Sequence, residues 1–180
     1  MEDNMNLREK LSGRLSKNDV LGLAKQMGDD GMKEELYQLT LDCNSRVAQQ
    51  ALWVFQHFDD ADNEWLYPRH DELIDRVMEE HSETRRRMIL NLLVRQPFHE
   101  DSLRADFLDF CLGNITACSQ PYAIRALCMK LAYEQCRFFP ELLDELKATL
   151  DMLAQEPLSP GVASAKRQIM QKIKACRKKG

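Results

Sequence analysis

The chain has 180 residues, 44% of them hydrophobic and 30% charged, with 25 Lys and Arg against 29 Asp and Glu for a formal net charge of −4. That length suits one domain or one short repeat array and is enough to bury a core. No apolar run approaches the ~18 residues of a spanning helix, and seven glycines and six prolines are few for an all-β chain built on tight turns.

The opening residues MEDNMNLREKL lack the apolar stretch and small-residue cleavage site of a secretory leader, so the chain reads as cytoplasmic. A short helix is expected over Met5 to Leu11. In SKNDVLGLAKQMG, Ser16 is the expected N-cap and Asp19 follows three residues on, as in a capping box. Val20, Leu23, Ala24 and Met27 then fall at i, i+3, i+4 and i+7, and Gly28 closes the helix. Helix pairs follow: Met32 to Leu41 with Arg46 to Phe58, Pro68 to Glu80 with Glu83 to Gln96, Ser102 to Leu112 with Pro121 to Arg137, and Pro140 to Ala154 with Gly161 to Arg177. Pro68, Pro121 and Pro140 stand at expected helix starts, and Pro97 and Pro157 just past helix ends. FDDADNEW, residues 58–65, reads as the strongest loop.

The second helices of the pairs repeat. Val47, Arg85 and Ala123 stand at intervals of 38 residues, as do Ala51, Ile89 and Leu127, and Phe55, Leu93 and Leu131. A two-helix unit at that period is the mark of a stacked helical solenoid, because one pair cannot bury both its faces alone. ELYQLTLDCNSRVAQQALWVF resembles a HEAT repeat: a leucine-rich first helix, Asp42 in the turn, a basic residue beside a valine, then alanine and leucine on the second helix. SQPYAIRALCMKLA resembles the second helix of another. Arg46 precedes Val47 where the family more often has the reverse order, and Arg85 stands where a branched apolar residue is usual. The resemblance implies an all-α, right-handed α-α superhelix of about four HEAT-like pairs. Residues 1–180 then form a single solenoid domain, with capping helices over 1–30 and repeats over 31–178.

Charge divides between the layers. The four first-helix segments (31–42, 64–80, 100–113, 139–156) carry a summed −13, and the four second-helix segments (45–58, 82–97, 119–137, 158–179) a summed +13. The HEAT resemblance puts second helices on the concave side, which implies a basic groove under an acidic outer surface. Arg87, Asn91 and Arg95 lie at i, i+4 and i+8, and Lys166, Met170, Lys174 and Lys178 follow the same spacing. Arg87, Arg95, Arg125, Lys130, Lys166 and Lys174 are therefore the expected partner-binding residues. Clustered cations attract anionic partners; the competing reading is that the two layers neutralise each other in salt bridges, or that the charges are simply solvated. SETRRRMILNLLVRQ, the most basic-looking stretch, begins a repeat helix and is no nucleic-acid motif by itself.

Catalytic signatures are lacking. The four histidines form no HExxH, the six cysteines form no CxxC, and there is no glycine-rich phosphate loop and no GxSxG. No metal or cofactor is expected. The cysteines read as free thiols filling core positions. Trp53 reads as a packing residue, and Trp65 as the anchor of a loop against the next repeat. The chain is thus expected to be a non-catalytic interaction or scaffold module that binds a protein or acidic peptide in the groove. The alternative is a nucleic-acid-binding HEAT-like protein related to DNA alkylation-repair glycosylases. No membrane partner is expected, and exposed solenoid ends leave a homodimer open.

Overall fold

A computed structural model describes residues 6–153 and 156–178, and its residues cluster into two compact units, one through Arg69 and one from His70 on. All regular structure among the described residues is helical. The expected helix starting at Met5 and the one ending at Ala154 each have one bound outside the described residues.

The first unit contains α1 (Leu7–Ser12), α2 (Lys17–Gln26), α3 (Asp30–Leu39), α4 (Ser45–Gln56) and the short α5 (Asp60–Asn63), followed by a 3-10 segment, Glu64–Arg69. Local chemistry sets most boundaries. Ser16 Oγ accepts from the Asp19 N–H while the Asp19 carboxylate accepts from the Ser16 N–H, the reciprocal pair expected from the sequence. Asn44 caps α4 by accepting from the Arg46 N–H at 3.0 Å. The strongest expected loop is instead helical. Asp59 accepts from the Asp62 N–H to start α5, and Lys33 of α3 donates to Asp62 Oδ1 at 2.8 Å, pinning the turn. Such a short helix carries no apolar periodicity, so only its caps reveal it.

α4 is the centre of this unit and packs against α1, α2 and α3. Its Val47, Ala51, Val54 and Phe55 are fully buried. Gln50, also buried, donates through Nε2 to the carbonyls of Leu11 and Gly13 at 2.6 and 2.7 Å, satisfying carbonyls that the end of α1 leaves without intrahelical donors. Trp65 packs back toward α3 and α4: its ring lies 5.9 Å from Tyr37 and stacks 6.1 Å from Phe55, and the Arg69 guanidinium sits 3.6 Å above it. It therefore secures the 3-10 segment to the pair before it, where the sequence suggested the pair after.

The second unit contains α6 (His70–Glu79), α7 (Glu83–Val94), α8 (Ala105–Thr116), α9 (Tyr122–Cys136), α10 (Pro140–Met152) and α11 (Pro160–Arg177). The expected start at Pro68 moves to His70, because Pro68 lies inside the 3-10 segment, and Ser102 ends a 3-10 turn before α8. α9 packs against α7, α8, α10 and α11. It buries residues around most of its circumference, as a central helix must. Cys111, Cys128 and Cys136 fill this core, whereas Cys43 and Cys118 are exposed and Cys176 is half-buried. The expectation of core thiols therefore fits three of the six.

Candidate functional site

The second helices of the second unit, α7, α9 and α11, are neighbours, with α9 between the other two. Their solvent stripes follow from helical spacing. On α7 the stripe runs through Arg87, which is exposed, and Asn91. On α9 it runs through Tyr122, Lys130 and Arg137, all exposed, with Tyr133 half-buried among them. Tyr122 is 60% exposed, a large ring left to solvent. α11 meets α9 through Lys172, whose Nζ lies 5.3 Å from the centre of the Tyr133 ring, and through Cys176, whose thiol reaches the Arg137 carbonyl.

The cations of these helices fall into two sets. One set holds the fold together. Arg85 forks onto both oxygens of Glu80, 2.9 Å to each. Arg86 donates to the Glu80 carbonyl at the end of α6. Arg137 donates to the Phe98 carbonyl at 3.0 Å and pairs with Glu134, and Arg177 pairs with Asp144 of α10. Arg125 belongs here too. It is 4% exposed, its Nε donates to the Ile115 carbonyl in the last turn of α8 at 2.9 Å, and its Nη2 stands 3.6 Å from Glu156. A cation on terminal carbonyls complements the negative end of the helix dipole.

The other set faces water. Arg87, Lys130 and Lys174 are exposed and form no ion pair among the described residues. Arg95 is half-buried at the C-cap of α7. Lys166 is half-buried and helps Lys147, the stronger influence, to hold the Asp151 carboxyl below its usual range. The stripe of Lys166 and Lys174 continues to Arg177 and so runs past the carboxylates of α10, whereas Lys172 is the α11 cation beside α9. Of the six residues singled out in sequence, Arg87 and Lys130 lie on the solvent stripes of adjacent helices. Arg125 is turned inward. Lys172, Tyr122 and Tyr133 were not singled out; for the two tyrosines the signal was the register of α9, in which Tyr122, Ala126, Lys130, Tyr133 and Arg137 share one stripe.

The turns between paired helices carry a second pattern. Asp42, Glu80 and Glu156 occupy matching turn positions, and Cys118 takes that place in the third pair. Arg8 forks onto Asp42 at 2.6 and 3.0 Å and holds its carboxyl below the usual range. Burial pushes the Glu80 carboxyl up, but Arg85 and the Ser82 N–H outweigh it and the net shift is downward. Cys118 donates to Glu156 Oε1 at 3.1 Å, and that bond raises its thiol pKa.

Among the described residues no three His, Cys, Asp or Glu side chains gather closely enough to hold a metal ion, and no helix is long and apolar enough to cross a membrane. His70 is a packing residue: its Nδ1–H donates to Gln96 Oε1 at 2.7 Å and its ring meets Phe98 edge-on.

Comparison with known proteins agrees with the helical pairing. A family model for the HEAT repeat domain matches residues 7–173. No curated protein and no solved structure gave a match. HEAT repeats commonly mediate protein interactions, and with the match spanning nearly the whole chain, this protein belongs to the HEAT repeat domain family.

Proposed function

We propose that this protein is a non-catalytic interaction module whose second-helix face, on α7, α9 and α11, docks a protein or acidic peptide. One observation carries the reading. The arginines of these helices that meet carboxylates or carbonyls are tied to partners within the fold, while Arg87 and Lys130 stay in water on the stripes of adjacent helices, the α9 stripe also carrying Tyr122 and Tyr133, with Lys172 of α11 beside Tyr133. Internal neutralisation between layers, the competing explanation of the charge pattern, accounts for the first set and leaves the second. Cations interleaved with tyrosines suit a partner that brings carboxylates and some apolar surface, since rings supply the desolvated contact and charges the steering.

Amide and side-chain NMR of the full chain, titrated with a glutamate-rich helical peptide, tests this. Saturable shifts at Arg87, Asn91, Lys130, Tyr133 and Lys172 support the reading; no saturable shifts there would defeat it. Labelled single- and double-stranded DNA and RNA form the other arm. Binding there that survives near-physiological salt and falls steeply with added salt would make the face a nucleic-acid surface instead.

A further inference from the structure

A separate feature of the first unit points to a second binding site. α1 and α2 both pack on α4, and α2 and the turn leading into it line an open groove of about 510 Å³ with Lys10 of α1. That volume is in the range of small-ligand and short-peptide sites. Buried Leu23 lines it together with Lys10, Arg14, Asn18, Gly22 and Gln26. Asn18, Gly22 and Gln26 fall at i, i+4 and i+8 of one helix, so the backbones of Asn18 and Gln26 stand about 12 Å apart along the axis with the glycine midway.

Gly22 is the informative residue. It sits in the middle of α2, where glycine is a poor helix former. A Cβ built there would meet no atom within 4 Å, so nothing among the described residues requires its absence. A glycine lining a groove allows the close approach of another backbone. The carboxamides on either side can each give and accept a hydrogen bond, which is what a peptide backbone asks for. Among the described residues, Lys10, Arg14, Asn18 and Gln26 are engaged in no side-chain hydrogen bond or ion pair. Asp19, the carboxylate at the rim, is turned back onto Ser16 by two bonds of 2.8 and 2.7 Å. The rim therefore offers two cations and few competing negative atoms.

We infer that this groove binds an extended acidic peptide. The peptide backbone lies against Gly22 between Asn18 and Gln26, and its carboxylates meet Lys10 and Arg14. The site lies wholly in the first unit and does not depend on the second-helix face of the second.

The experiment is an NMR titration of the full-length protein with an unlabelled peptide of alternating glutamate and leucine, with free glutamate and inorganic phosphate titrated in parallel. Saturable shifts of the Gly22 amide and of the Asn18 and Gln26 side-chain amides are expected with the peptide. Affinity should fall about tenfold or more in Lys10→Glu/Arg14→Glu and should be lost in Gly22→Leu. Gly22→Leu is read only if its melting temperature matches the parent; otherwise Asn18→Ala/Gln26→Ala takes its place. The inference is overturned if the peptide leaves those three residues unshifted, or if binding persists in the folded groove variants. Phosphate or free glutamate producing the same shifts at comparable affinity would overturn it too, since backbone recognition would then have no part.

Discussion

Replacing Arg125 with methionine should destabilise the protein without touching a partner. Arg125 carries one of the formal charges that make the second helices basic, yet its side chain is 5% exposed. The substitution keeps most of the stem's packing and removes the head. What is lost is the charge-assisted bond from Nε to the Ile115 carbonyl at 2.9 Å, worth about 1.5–3 kcal/mol. The ion pair with Glu156 adds about 0.5 kcal/mol at most, because that carboxylate is 37% exposed. Relief from burying a cation offsets part of this. The net loss should be about 2 kcal/mol, or a melting temperature lower by about 4–8 °C for a chain of this size. Urea unfolding beside calorimetry reads both numbers, and Arg87→Ala, exposed and unpaired, should stay within about 0.5 kcal/mol of the parent. A methionine variant as stable as the parent would refute the reasoning and return Arg125 to the candidate binding cations.

Glu80 is held below its ordinary 4.5 in the folded chain, so its stabilising contribution is complete above that value and lost as pH falls through the lower folded value. The stability gap between the parent and Glu80→Gln should therefore narrow as pH falls below 4.5; a gap independent of pH, followed by urea titration, would contradict the pairing with Arg85. Glu156→Gln should speed alkylation of Cys118 at mildly alkaline pH, since it removes the bond that raises the thiol pKa, while buried Cys111 and Cys128 stay unmodified until the chain unfolds; mass spectrometry of peptides decides both. Gly22→Ala should stabilise the fold by about 0.5–1 kcal/mol, because a Cβ at that place meets open space; a loss in chemical denaturation would mean that the helix itself needs the glycine.

The architecture was legible because it is periodic. The spacing of Val20, Leu23, Ala24 and Met27 gave α2, the Ser16–Asp19 pair gave its cap, and the 38-residue repeat gave the family. Short elements without an apolar face were not legible this way, hence the helical turn at Asp60–Asn63. The candidate face was half legible. Counting charges by helix treats every arginine as solvated, but burial depends on which side of the helix a residue takes. Arg125 shares the stripe of Cys128, Ala132 and Cys136, all buried, and that spacing by itself marks it as an inward residue. Lys172 could not be told from Lys174 in the sequence, because the choice between them depends on how α11 is rotated against Tyr133.

If Arg87, Lys130 and Lys172 form a docking face independent of the cations that hold the fold, reversing them must cost affinity without costing stability. Fluorescence anisotropy of a labelled glutamate-rich helical peptide, against the parent and the Arg87→Glu/Lys130→Glu/Lys172→Glu variant at near-physiological salt, tests it most directly. The account predicts saturable binding to the parent, a loss of about tenfold or more in the variant, and equal melting temperatures for the two. Equal affinity of the folded variant and the parent would show that these cations are only a solvated surface.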